Sequence, residues 1–186
     1  MMARRVRRLA VVVLVLLVVG TIALVLTTRP KLEDARDGVD HAWTPLRGPL
    51  SVRYTKLAEA NAQLVAAGGG ERDVSRALGL RLGRWDELRR AKDGDAEADA
   101  EAQTADQLEG LGTRLQAVAS SSDRLRTSDA LTQAIAAFQG TVPPPQAVTA
   151  YNRSVRDYED ERNGLLRGPV ASLFGYDSRP QLVLAG

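Results

Sequence analysis

His41 is the single histidine of the chain, and there is no cysteine. Without cysteine the chain has no disulfide, thiol nucleophile, iron–sulfur or thiolate–zinc site, and no cysteine to carry a lipid. His41 stands beside Asp40 and one turn from Asp37. One imidazole with two neighbouring carboxylates makes a poor metal site, and a solvated helix face is the expected setting. No Ser/His/Asp arrangement surrounds it. Gly68-Gly69-Gly70 is followed by Glu71-Arg72-Asp73 rather than Gly-Lys-Ser/Thr, so it is a turn and not a phosphate loop.

Two charge blocks stand out. Asp93, Asp95, Glu97, Asp99, Glu101, Asp106 and Glu109 have no basic residue among them. Steps of two do not converge on one helix face, and the order is not that of a calcium loop. A solvated helix start is expected, since acids favour a helix N-terminus; weak cation binding is the other reading. Just before the block, Arg72, Arg76, Arg81, Arg84, Arg89, Arg90 and Lys92 make a basic stretch. If the two stretches are neighbouring helices, the blocks are expected to pair across the hairpin. Asn61 falls on an apolar stripe, where it either sets register or marks the stripe's edge. Arg153 and Arg156 lie three apart on one face, exposed or holding an acidic partner. None of these residues makes a catalytic, cofactor-binding or metal site, so no enzyme activity and no cofactor are expected.

What must position these residues begins with a membrane segment. Leu9–Thr28 is a run of 20 residues without a charge. As a helix it is about 30 Å long, the thickness of a bilayer's hydrocarbon core. A cleaved signal peptide should have a shorter apolar core ending at a small-x-small site; here Thr21 and Ala23 lie inside the run. Residues 9–28 are therefore read as an uncleaved signal-anchor. Arg4, Arg5, Arg7 and Arg8 precede it without an acid, whereas Arg29, Lys31 and Arg36 after it mix with Glu33, Asp34, Asp37 and Asp40. The positive-inside rule places residues 1–8 in the cytoplasm and the rest outside the cell membrane. Four of the 25 basic residues precede the run and all 23 acidic ones follow it, so the remainder is net acidic by two. The basic pI is a topology signal, and no nucleic-acid partner is expected.

Beyond the anchor, apolar residues recur at steps of three and four. Leu32, Ala35, Val39, Trp43 and Leu46 share one face; Pro45, Gly48 and Pro49 then predict a kink or break. Leu50, Tyr54, Leu57, Asn61 and Leu64 follow, then Val74, Leu78, Leu82, Trp85 and Leu88. Thr104, Leu108, Leu111, Leu115 and Val118 repeat the pattern, as do Leu131, Ile135 and Phe138, and finally Val148, Tyr151, Val155, Tyr158, Arg162 and Leu165. Such stripes must be buried against other helices. Pro143-Pro144-Pro145 forbids a helix interior and fits the start of the last long helix. The fold class is all-α: a transmembrane helix, then an antiparallel up-and-down bundle of the four-helix type over 29–167, with shallow crossings. Residues 168–186 are expected to form an irregular tail.

The segment Tyr151-Asn152-Arg153-Ser154-Val155-Arg156-Asp157-Tyr158, with Leu173-Phe174-Gly175-Tyr176 beyond it, resembles the C-terminal signature of the LemA family. That signature is a Tyr-Asn-x-x-Val-x-x-Tyr helix before a Leu-Phe-Gly-aromatic tail. Ala42-Trp43, Arg53-Tyr54 and Gln116-Ala117-Val118-Ala119 match more diffusely and in order. The chain departs from the family where Leu165-Leu166-Arg167 replaces a Phe-Pro-Gly step, and at the triple proline. It is identified as a divergent member. The resemblance implies a single-pass bacterial membrane protein with a four-helix bundle and no known catalytic residue or cofactor. The functional expectation is a scaffold or interaction module at the outer face of the membrane, with a protein partner. An extracytoplasmic ligand-binding or sensing domain is the alternative.

Overall fold

A computed structural model describes residues 2–70, 73–91, 95–164 and 167–185, with the side chains of 2–18, 21–23 and 95–97 outside that description. Among the described residues the fold is a helical bundle without strands. Its helices are α1 (Met2–Trp43), α2 (Arg47–Leu64), α3 (Asp73–Arg90), α4 (Asp95–Ser120), α5 (Asp123–Arg126), α6 (Asp129–Gly140), α7 (Pro145–Arg162) and α8 (Gly168–Leu173). Among the described residues no helix is long and apolar enough to cross a membrane. The expected span, residues 9–28, falls mainly on residues whose side chains lie outside the description.

The chain forms two compact units. The first comprises residues 1–37 and 156–178, the second residues 38–155 and 179–186. In the first, Leu32 is fully buried, and Val170 and Ala171 of α8 are buried too. The Arg162 guanidinium donates to the Tyr176 carbonyl at 2.8 Å, and the Tyr158 hydroxyl to the Asp177 carbonyl at 2.8 Å. The Tyr176 hydroxyl meets Glu33 at 3.3 Å, and Arg29 lies over the Phe174 ring at 5.6 Å. Residues 168–173, expected to be irregular, are helical instead: Pro169 occupies the first turn, where its missing N–H costs nothing.

In the second unit α2 packs against α3, α4 and α6, and α3 against α4. The stripes read from spacing are the buried faces: Leu50, Tyr54, Leu57 and Leu64 on α2, Val74, Leu78, Trp85 and Leu88 on α3, and Leu108, Leu111 and Leu115 on α4. Burying each such side chain stabilises the fold by about 1.5–3 kcal/mol before ordering costs. Two aromatic pairs reinforce the packing. Tyr54 meets Trp85 edge-on at 4.9 Å, and Trp43 meets Tyr151 at 5.0 Å.

The breaks are local. Pro45 falls in a short 3₁₀ turn, Thr44–Leu46, between α1 and α2. After α2 the backbone turns at Gly68, whose φ of 90° is open to glycine alone among common choices. A Cβ there would also stand 2.9 Å from the Arg124 guanidinium carbon. The Ser128 hydroxyl caps α6 by accepting from the Leu131 amide at 3.4 Å. α7 begins at Pro145, the last residue of the triple proline.

Candidate functional site

The most polar interior lies in the second unit, between α2 and α4. Residues 50, 53, 57, 60 and 64 follow helical spacing and are all fully buried, with Arg53 in a stripe otherwise of Leu and Ala. A charge in that position needs a partner, and Glu109 of α4 supplies it. The Arg53 fork meets both carboxylate oxygens, at 2.8 and 2.9 Å. Two parallel charge-assisted bonds fix orientation as well as energy. The remaining Arg53 donor reaches the Phe138 and Thr141 carbonyls at 3.0 and 2.9 Å, at the end of α6. The guanidinium also stacks over the Phe138 ring at 4.1 Å. Gly112 makes room: a Cβ there would lie 2.9 Å from that ring.

A second buried acid stands two turns earlier on α4. Glu101 accepts from the Trp43 indole at 2.7 Å and from Arg47 at 2.6 Å through one carboxylate oxygen. Nearby, the Tyr54 hydroxyl donates to the Ala105 carbonyl at 3.3 Å. Burial, and then the Glu109 charge, push the Tyr54 phenol well above its usual range. Burial does the same to Tyr151.

The extended tail closes this centre. Arg179 is buried and pairs with Asp40 at 2.9 Å and Asp99 at 3.4 Å. The Tyr151 hydroxyl donates to the Pro180 carbonyl at 2.9 Å. Asn152 reads both sides of one residue: its amide donates to the Leu182 carbonyl at 3.0 Å, and its carbonyl accepts the Leu182 N–H at 2.8 Å. The Arg53–Glu109 pair does the same to Ala185, Arg53 donating to its carbonyl and Glu109 accepting its N–H, each at 2.7 Å.

Among the candidates raised by the sequence, the acidic block departs from expectation, whereas His41, Asn61, Arg153 and Arg156 sit where one of the expected readings put them. Glu101 and Glu109 are core residues, not part of a solvated helix start, and Asp99 holds Arg179. Among the described residues the charge blocks do not pair with each other; Arg72 and Lys92 of the basic block lie outside that description. Arg76, Arg84 and Arg90 pair within α3, with Asp73, Glu87 and Asp86, because the α3 face toward α4 is apolar. Asp93 and the side chains of Asp95 and Glu97 lie outside the described residues. His41 is exposed, and Asp40 is occupied by Arg179. Asn61 sits at the stripe's edge, donating to the Ser75 carbonyl of α3 at 3.3 Å. Arg153 and Arg156 are exposed. Among the described residues no group of acids and histidine is arranged to hold a metal.

Sequence reasoning passed over Arg53, Glu101 and Glu109 as core residues. The signal was present for two of them: Arg53 stands three after Leu50 and four before Leu57 on the α2 stripe, and extending the α4 stripe from Thr104 back by three lands on Glu101. The tail's docking left no comparable trace. One cleft of about 330 Å³ lies between α2 and α3, lined by Ser51, Tyr54, Trp85, Asp86 and Arg89 among others. No family model, curated protein or solved structure matches the chain.

Proposed function

We propose that this chain is a membrane-anchored, non-enzymatic protein of the LemA type, serving as a scaffold or interaction module at the outer face of the cell membrane. The observation that carries the reading is the uncharged run Leu9–Thr28 behind four arginines and no acid. The bundle is then an antiparallel four-helix type held outside the membrane by α1. The engagement of Arg53, Glu101 and Glu109 with structural partners suits a protein that holds a shape. The Tyr-Asn signature contributes Tyr151 to the core and Asn152 to the tail, which are packing and docking duties.

The test uses the absence of cysteine. Ser121 is exposed in the turn after α4, so Ser121→Cys creates a single accessible thiol. An impermeant thiol reagent should label it in intact cells. Labelling only after lysis reverses the orientation, and labelling of a protein found entirely in the soluble fraction removes the anchor. Crosslinking in cells with Ser121→Cys, followed by mass spectrometry, then identifies the neighbour.

A ligand-binding role is the second reading, and the cleft at Tyr54 and Trp85 is what favours it. Its polar and aromatic lining fits a small polar molecule with an apolar body. A ligand that raises the melting temperature of the wild-type chain but not of Trp85→Leu would establish this role.

A further inference from the structure

Within the second unit, the tail is buried at every third residue. Arg179, Leu182 and Ala185 are each less than a tenth exposed, while Gln181 and Val183 between them are exposed. A burial repeat of three residues without internal hydrogen bonds matches the period of a polyproline II strand, and Pro180 suits it. Residues 177–185 make no backbone–backbone hydrogen bond with another described residue. Side chains of the bundle hold them instead. Asp40 and Asp99 take the Arg179 charge, Asn152 takes both peptide groups of Leu182, and the Arg53–Glu109 pair takes both of Ala185. Reading backbone groups at fixed intervals, with pockets for chosen side chains, is how proteins capture separate extended peptides.

We propose that the groove lined by Asp40, Arg53, Asp99, Glu109, Tyr151 and Asn152 is a binding site for an extended Arg-x-x-Leu-x-x-Ala peptide, and that it exchanges its own residues 179–185 for the same segment of a second copy of this chain. The second copy is the occupant because this chain itself carries the pattern that meets every contact. Residues 177–185 belong to no helix, so re-routing of the chain there delivers the tail in trans. Exchange of an identical element is a low-cost route to an assembly. No backbone ladder has to break for it. The inference stands apart from the anchoring reading, since every contact involved lies in the second unit.

The experiment uses two full-length variants. Arg179→Glu keeps the groove and sets the tail's anchor against Asp40 and Asp99. Asn152→Ala with Asp99→Asn keeps the tail and removes groove contacts. A fluorescent synthetic peptide of residues 177–186 should bind the Arg179→Glu chain at least roughly tenfold tighter than it binds the groove variant, since a charged contact and two hydrogen bonds are lost there. Wild type should bind it more weakly than Arg179→Glu does, because its own tail competes. When co-expressed, tagged Arg179→Glu should capture the groove variant more than it captures another Arg179→Glu chain, and excess peptide should release it. Equal peptide binding by both variants, with helical circular dichroism intact, overturns the site. Peptide binding without co-capture overturns the second copy as occupant. Should Arg179→Glu fail to fold, Leu182→Ala weakens the tail without adding a charge and gives the same comparison.

Discussion

α3 and α4 pack against each other in the second unit, one rich in arginine and the other in acids, yet they use charge in different ways. On α3 the ion pairs run along the helix's own surface, three or four residues apart, with side chains half exposed or more. On α4 two acids point inward and are almost wholly buried, held by Arg47, Arg53, the Trp43 indole and the tail. The number of charges is not what separates them. Position on the apolar stripe is. An arginine off the stripe faces water, where a pair is worth about 0–1 kcal/mol. An acid on the stripe is desolvated, and removing its partner costs several times more.

The comparison breaks most visibly at its centre. Glu109→Ala leaves the Arg53 guanidinium buried without its anion and the Ala185 N–H without an acceptor. It should cost about 3–5 kcal/mol, read as a lower urea midpoint. The double variant Arg53→Met with Glu109→Leu should recover much of that, since well-packed apolar groups replace buried pairs at little or no loss. Equal destabilisation of single and double variants would remove the uncompensated charge as the cause.

Packing beside the pair is the next lever. Gly112→Ala sets a methyl group 2.9 Å from the Phe138 ring that stacks under Arg53. Overpacking of this kind should cost about 1–3 kcal/mol in the same urea measurement. An unchanged midpoint would mean that the ring, and the guanidinium with it, shifts freely.

The interior should also answer to alkali. Burial raises the Tyr54 and Tyr151 phenols, the Glu109 charge adding to the effect at Tyr54. The unfolded chain ionises its tyrosines near pH 10, earlier than the folded one. Their contribution to stability is therefore complete below about pH 10 and is lost as pH rises toward the folded-state values. Phenolate absorbance should lag for these two tyrosines until the helical signal falls; ionisation of all four tyrosines at the ordinary pH in a folded chain contradicts their burial.

The smallest change is expected on α3. Arg84→Ala removes one surface pair with Glu87 and should move the urea midpoint by less than about 1 kcal/mol equivalent. A loss as large as that at Glu109 would erase the distinction between the two helices.

Much of this architecture was legible. Helical spacing located the buried faces of α2, α3, α4, α6 and α7, and Pro145 marked a helix start. The charge blocks misled because a count along the chain does not say which residues lie on the stripe. Arg53 reads as an ordinary surface arginine until the stripe through Leu50, Leu57, Ala60 and Leu64 is drawn through it. The tail's three-residue repeat is short, irregular by helix or strand standards, and acquires meaning only from what it touches.

By itself the sequence determined the helical class, the apolar run near its start, and the exclusion of thiol chemistry. These depend on composition and local periodicity, which each segment carries alone. Tertiary structure decided which acids meet which arginines and how Asn152, Arg53 and Glu109 come to hold residues 179–185. Those contacts join positions as far apart as Arg53 and Ala185. No local pattern encodes such a pairing, because it is the closing of the bundle that removes water from both partners and leaves them to compensate each other.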